Sequence, residues 1–246
     1  MANETQMSQT LEPYEAGGYR FMLRPNTSDH KGVDEVMKGG YRRTRPFAFD
    51  VEAGEQWIDL GAMVGGFTVY AGMRGGIVRA VEADPLHVKI LVANASKFPG
   101  VNIVHAAVVA DDRKIVTLHR NDAKGNTWRN SIMRPWRGGT QVDVPTVHIS
   151  DLINLAGENV CIKMDIEGEE MPVLEWLLDH PVALAKVKKL TFEWSFDVDP
   201  NLKRFRLVME RLMLNFPNVA PGKMYSEQDV WPKTWFPPCT TIFCMR

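Results

Sequence analysis

The ten residues Trp57-Ile-Asp-Leu-Gly-Ala-Met-Val-Gly-Gly66 constrain this chain more than any others. An apolar run, Trp57, Ile58 and Leu60, breaks at Gly61 and resumes after Gly65-Gly66 as Phe67-Thr-Val-Tyr-Ala71. The period therefore passes from strand through a tight glycine turn into helix. Gly61 removes the Cβ that would block a ligand from the strand's end. Gly65 and Gly66 let the helix N-terminus, with its unpaired N–H groups, close up to that ligand. Asp59, two residues before Gly61, directs a carboxylate toward the same mouth. A dinucleotide fingerprint needs glycine at position 63, where the backbone approaches a pyrophosphate, and Met63 stands there instead.

A phosphate ligand is therefore disfavoured. The spacing Asp-x-Gly-x-x-x-Gly suits a small cationic ligand with a free amino group, and S-adenosyl-L-methionine fits that description. The bland alternative is a glycine-rich turn that binds nothing. Downstream, Gly72 and Gly75-Gly76 end the helix, and Ile77-Val-Arg-Ala-Val81 reads as a second buried strand ending at Glu82-Ala83-Asp84-Pro85. An acid about 20 residues past the glycine turn is placed to accept hydrogen bonds from both hydroxyls of a ribose, and Glu82 is the choice. Asp84, followed by Pro85, suits a helix N-cap instead. The helix Leu86 to Phe98 is expected to bury Leu86, Ile90, Leu91 and Ala93, with Asn94 structural. Val101 to Val109 reads as a third strand, whose Ala106 and Ala107 leave room for an adenine ring. His87, His105, His119, His148 and His180 are scattered singly and read as structural.

Ile115 to Thr146 interrupts the alternation. Ile115–Leu118 and Gln141–Val144 look like the strands of a hairpin, separated by a loop too long for a plain connection. That loop carries Arg120, Lys124, Trp128, Arg129, Arg134, Trp136 and Arg137. Tryptophan faces stack on sugars or bases and arginines pair with anions, so Trp128 and Arg129 are candidate substrate contacts. Anchoring of the hairpin to the core is the competing role. Upstream, Tyr19–Leu23 reads as a strand and Val33–Met37 as helical turns. The basic cluster Tyr41-Arg-Arg-Thr-Arg45 either is a solvated face or folds over the pocket, with Tyr41 toward the substrate. Ser150 and Asp151 are expected to cap a short helix through Ala156.

Val160-Cys-Ile-Lys-Met-Asp-Ile-Glu-Gly168 is the second chemical stretch, a buried strand ending in Asp165 and Glu167, then a helix from Glu169. In a doubly wound sheet ligands bind at the carboxyl ends of strands beside the switch in strand order, which places Asp165 in the same crevice as Asp59. Lys163 is free to pair with a neighbouring carboxylate. Lys188–Trp194 is a fifth strand that brings Glu193 to a similar position. A helix runs from Asp199-Pro200 to Leu214, and Val230-Trp231 with Thr240–Cys244 is the expected closing antiparallel pair.

The ordered set of the glycine motif, Glu82-Ala-Asp-Pro85, Asn94, Val144-Pro-Thr-Val with Asp151-Leu152, and Lys163-Met-Asp-Ile-Glu-Gly-Glu-Glu170 resembles the FkbM family of S-adenosylmethionine-dependent methyltransferases over roughly residues 30 to 200. The resemblance implies an α/β, Rossmann-like class I methyltransferase fold with a seven-stranded, mostly parallel sheet and a hairpin insertion. It also implies O-methylation of a hydroxyl on a sugar, glycolipid or natural product. Asp59, Gly61, Ala62, Gly65, Glu82, Ala83, Ala107 and Asp165 would then hold the cofactor, with Asp165 and Glu193 as candidates for taking up the hydroxyl proton. Family members commonly have Asn where Met63 stands, and Ala83 replaces a frequent proline.

An N-terminal extension, 1–50, is expected to pack near the active site, and 51–246 to form the methyltransferase domain with a lid-like insertion at 115–146. The net charge of -1 removes any global case for nucleic acid, and no apolar run approaches membrane length. With no signal-like start, a cytoplasmic location is expected. Three cysteines without C-x-x-C spacing signal neither disulfides nor zinc. No metal is demanded, although Asp165 and Glu167 suit a hard cation. The partner is then a small-molecule or glycan acceptor, with oligomeric state open. Two other readings remain: a ribose 2'-O-methyltransferase acting on RNA, which the basic loop would serve, and a non-catalytic module that binds S-adenosyl-L-methionine.

Overall fold

In the computed structural model, residues 10–121, 125–196, 199–222 and 239–246 are described. A hairpin of β1 (Glu12–Ala16) and β2 (Tyr19–Leu23) precedes α1 (Asp29–Met37). The main sheet then takes up β3 (Gln56–Leu60), β4 (Ile77–Glu82) and β5 (Val101–His105), with α2 (Gly66–Met73) and α3 (Pro85–Ala95) between them. A second, three-stranded sheet contains β6 (Ala107–Val109), β7 (Ile115–His119) and β8 (Gln141–His148). After α4 (Ile149–Ala156) the main sheet resumes with β9 (Val160–Met164) and β10 (Val187–Ser195), separated by α5 (Glu170–Asp179) and α6 (Pro181–Ala185). Helix α7 (Leu202–Asn215), β11 (Asn218–Pro221) and β12 (Cys239–Met245) follow.

The seven strands lie in the order β11-β12-β10-β9-β3-β4-β5. Only β12 runs opposite to the other six strands. The sheet is the doubly wound, Rossmann-like arrangement, and its switch in strand order falls between β3 and β9, which pair in parallel from Trp57 opposite Cys161 to Leu60 opposite Met164. Strand β3 shows why both faces are covered. Trp57 joins a core formed with the N-terminal hairpin, α1, α2 and α3, whereas Ile58 and Leu60 join the opposite core under α4, α5 and α7. Period-two alternation with both faces apolar requires helices on each side.

Several details differ from the sequence reading. Helix α3 buries His87, Ile90, Leu91, Asn94 and Ala95, while Leu86 is 41% exposed and Ala93 lies at the surface. Its apolar residues run almost all the way round, so no stripe phases it. The expected third strand breaks after His105: Ala106 N–H donates to Glu82 O, and the chain leaves the main sheet to pair Ala107–Val109 with β8. The cap of α4 is His148, whose Nδ1 accepts from the Ser150 N–H at 3.1 Å, rather than Ser150 or Asp151. Strand β12 closes against β11 and β10. Val230-Trp231 and Lys124 lie outside the described residues. Asp84 does cap α3, accepting from the Leu86 N–H at 2.8 Å with Pro85 in the first turn.

Candidate functional site

The loop after β3 begins at Gly61, where φ is +77 and an added Cβ would stand 1.8 Å from the Asp165 carbonyl oxygen. Only glycine lets the ends of β3 and β9 approach so closely. Met63 adopts φ +50, and Gly65, at +98, is the N-cap of α2. A left-handed backbone is disfavoured for a long side chain and tolerated by Asn, the residue that the resemblance leads one to expect here. The Met63 N–H donates to Glu82 Oε2 at 2.7 Å, and the Asp84 N–H to Glu82 Oε1 at 2.8 Å. Glu82, at the end of β4, is thereby fixed at the rim of a cleft over the strands' carboxyl ends.

Gly61, Glu82, Ala83, Ala107, Trp128, Arg129, Asp165 and Glu193 all line that cleft. Small residues, Ala83, Ala106 and Ala107, leave one end of it open. Asp59 lies one layer beneath: it is fully buried, accepts from Thr68 Oγ1 at 2.6 Å and stands 3.3 Å from Lys163 Nζ. Ala62 and Gly65 shape the loop from behind, and neither belongs to the cleft lining. Asp59 and Asp165 are nonetheless joined, because the Lys163 ammonium reaches both, at 3.3 and 4.0 Å, and donates to Gly61 O at 2.9 Å. Burial works against the Lys163 charge, but Asp59 and Asp165 outweigh it and hold its pKa up. Burial pushes the Asp59 carboxyl above its ordinary range despite the opposing pull of Lys163.

Tyr41 is buried and donates to Asp165 Oδ2 at 2.7 Å, so the chain before the first core strand reaches the cleft. The rest of its basic cluster does not: Arg42 donates to Met37 O and Arg43 to Arg45 O and Pro221 O. The long loop is clamped over the other side. Thr127 hydrogen-bonds Ser28 Oγ and Asp29 Oδ1, and Asn130 and Arg120 both donate to Asp84. Trp128 and Arg129 are thereby presented to the cleft, with Arg129 3.6 Å from Glu167 and its guanidinium over the Trp136 ring.

Two residues that pattern reading missed also line the cleft, Glu35 from α1 and His87 from α3. Burial, then the charge of Asp165, pushes Glu35 up to about 7 against the pull of Lys163. Burial, then Asp165 and Glu35, drives Glu193 well above the ordinary carboxylate range. Burial followed by Asp165 also pushes Glu170 up to about 7, although it accepts from the Ile166 and Gly168 N–H groups at 2.7 Å each. Neither carries a local sequence signal: Glu35 reaches the cleft only through the packing of α1, and His87 sits on α3, whose uniformly apolar pattern does not mark its inward face. Among the described residues no cluster of His, Cys, Asp and Glu is arranged to hold a metal ion, and no helix is long and apolar enough to cross a membrane.

The profile of the Methyltransferase FkbM domain matches residues 59–215. No curated protein matches the sequence. Among solved structures, the Methanococcus jannaschii fibrillarin pre-rRNA processing protein superposes with a TM-score of 0.50 at 12% identity, covering 99% of this chain and 86% of that one. A putative transferase from Pyrococcus horikoshii gives 0.45 at 15% identity over 97% and 74%. Precorrin-6y C5,15-methyltransferase from Geobacter metallireducens gives 0.42 at 11% identity over 89% and 88%. The first of these likenesses is one of fold.

Proposed function

The chain belongs to the FkbM methyltransferase family, and from that premise we propose that it moves a methyl group from S-adenosyl-L-methionine to a hydroxyl of a sugar, glycolipid or natural product. The residues present fit the cofactor. Glu82 is fixed by two backbone N–H groups with lone pairs left for a ribose, and the alanines beside it leave room for a flat base. Acids on the cleft wall suit a positively charged sulfur and amine. Bound there, the cofactor supplies an electrophilic methyl group.

What remains for the protein is to align the acceptor oxygen and take its proton. Glu193, which lines the same cleft, is a candidate acceptor, and burial among other acids makes it the stronger base once it is ionised. Asp165 already accepts from Tyr41 and faces Lys163, which suits it to orienting the hydroxyl. Trp128 offers a flat face for a sugar ring.

The observation that carries this choice of acceptor is the charge of the cleft wall. Glu35, Asp165, Glu167 and Glu193 line it, and the arginine among the described lining residues, Arg129, faces Glu167. Such a wall gives a phosphate backbone no counter-charge and offers an uncharged polyol carboxyl hydrogen-bonding groups. Labelled-methyl transfer should therefore mark a glycan or small-molecule pool, and Asp165→Asn and Glu193→Gln should remove the label without removing cofactor binding. Label appearing only in an RNA pool overturns the choice of acceptor, and absence of cofactor binding overturns the whole reading.

A further inference from the structure

His87 lies in the first turn of α3 and is 3% exposed, yet it lines the cleft beside Glu82. Its Nδ1 stands 3.5 Å from Glu82 Oε1. Its Nε2 is buried without a hydrogen-bond partner among the described residues. A buried polar nitrogen left unpaired costs free energy that a bound ligand can recover, so such an atom in a residue that lines the cleft points to a contact made when the cleft is filled.

We propose that His87 is a cofactor-binding residue, gripping the ribose and adenine end through Nε2 while its other nitrogen braces Glu82. The inference rests on the cofactor reading given above and adds a residue to it. An imidazolium has two N–H donors, one for Glu82 and one for an acceptor on the nucleoside such as a ring nitrogen of adenine; in neutral imidazole the one remaining N–H serves Glu82 and Nε2 can only accept, so the contact donated to the base is lost. Binding of the nucleoside end therefore weakens as His87 loses its proton.

The surroundings favour the charged form. Glu82 on β4 and Asp84 at the cap of α3 face the ring, as does Asp29 at the start of α1. Arg24, just after β2, opposes them but is itself paired with Asp29 at 2.7 Å, and Arg120 is paired with Asp84 at 2.8 Å. Burial works against the charge, and the Glu82 and Asp84 contributions outweigh it, leaving the His87 pKa raised. Glu35, elsewhere on the cleft wall, titrates at about 7, so the comparison must be made between variants at His87 rather than on the wild type alone.

Calorimetric titration with 5'-methylthioadenosine tests this, because that probe carries adenine and ribose but no amine or carboxylate that titrates near neutrality. S-adenosylhomocysteine serves as the whole-ligand control. The wild type should bind both, and its Kd for the truncated probe should rise roughly three- to tenfold between about pH 6 and pH 9. H87Q, which keeps one neutral donor, and H87A should bind the probe more weakly at the lower pH, with flatter profiles. A melting curve at each pH checks that the variants fold; H87N, the smaller change, replaces any variant that does not, and a flat wild-type profile overturns the proposal in either case. A Kd for the probe constant within about twofold in the wild type, or variants that reproduce the wild-type profile, overturns the role of His87 while leaving the cofactor reading intact. Failure of the wild type to bind either compound overturns the cofactor reading, and this inference with it.

Discussion

Gly61→Ala isolates the contact that joins the two halves of the cleft. An alanine there takes φ +77, which costs about 1 kcal/mol for a non-glycine residue. Its Cβ would also stand 1.8 Å from the Asp165 carbonyl oxygen, a backbone atom that cannot swing aside. Opening that gap to the 3.0 Å that real Cβ contacts respect means parting the ends of β3 and β9 by about 1.2 Å. At that separation the hydrogen bonds from Asp165 N–H to Leu60 O and from Lys163 Nζ to Gly61 O, 3.0 and 2.9 Å long, no longer form. At about 1 kcal/mol each they bring the total to roughly 3 kcal/mol. For a chain of this size that is a fall in Tm of about 6 to 12 °C. Gly54→Ala is the control: Gly54 has φ +80 with nothing within 4 Å, so it carries the conformational cost alone, a fall of about 2 to 4 °C. Circular-dichroism melts of the two variants, with calorimetric titration of S-adenosylhomocysteine, read both stability and site. If Gly61→Ala melts no lower than Gly54→Ala and binds as tightly as the wild type, the close approach of β3 to β9 does not shape this cleft.

Lys163→Met strands the fully buried Asp59 without its cation and should cost about 3 to 5 kcal/mol, read by urea unfolding; Lys163→Met combined with Asp59→Asn should recover part of that loss. Glu35 is raised from 4.5 to about 7, as is Glu170, so between those values the folded state keeps protons that the unfolded state releases. Stability from this source is present below about pH 4.5 and is lost as pH rises to about 7. Glu35→Gln should flatten that decline and stabilise the protein at pH 8 by about 1 to 3 kcal/mol, and an unchanged slope in chemical denaturation across the range would count against it. Tyr41→Phe removes the hydrogen bond to Asp165 and should lower kcat about tenfold with little change in Tm, whereas an unchanged kcat would leave Tyr41 as packing alone. Arg129→Ala and Trp128→Ala should raise KM for the acceptor while the Kd of S-adenosylhomocysteine stays fixed; an equal loss in both would place the loop over the cofactor instead.

Local signals carried most of the sheet. The strand, glycine turn and helix around Gly61, the acid ending β4, and Asp84 before Pro85 each announce themselves within a few residues, because their physics is backbone conformation and capping. Asp165 and Glu193 were legible for a related reason: both sit at or near the carboxyl end of a buried strand, where a doubly wound sheet collects its ligands. Glu35 and His87 were not. Each sits on a helix whose pattern says only which face is buried, and α3 is too uniformly apolar to say even that. The contact from Tyr41 to Asp165 spans 124 positions in the chain, and no spacing rule reaches that far. Asp59 shows the converse: its distance from Gly61 was plain, but the Lys163 and Thr68 contacts that hold it beneath the cleft floor come from other strands and helices.

Glu35 and Tyr41 come from chain that precedes β3, and among its described residues no strand belongs to the seven-stranded sheet. On the function proposed above, the upstream stretch would meet the acceptor while the strand ends would hold the methyl donor, so the two tasks would fall on separate parts of the chain. A protein engineer seeking a different acceptor would then graft the upstream stretch first and leave the sheet as it stands.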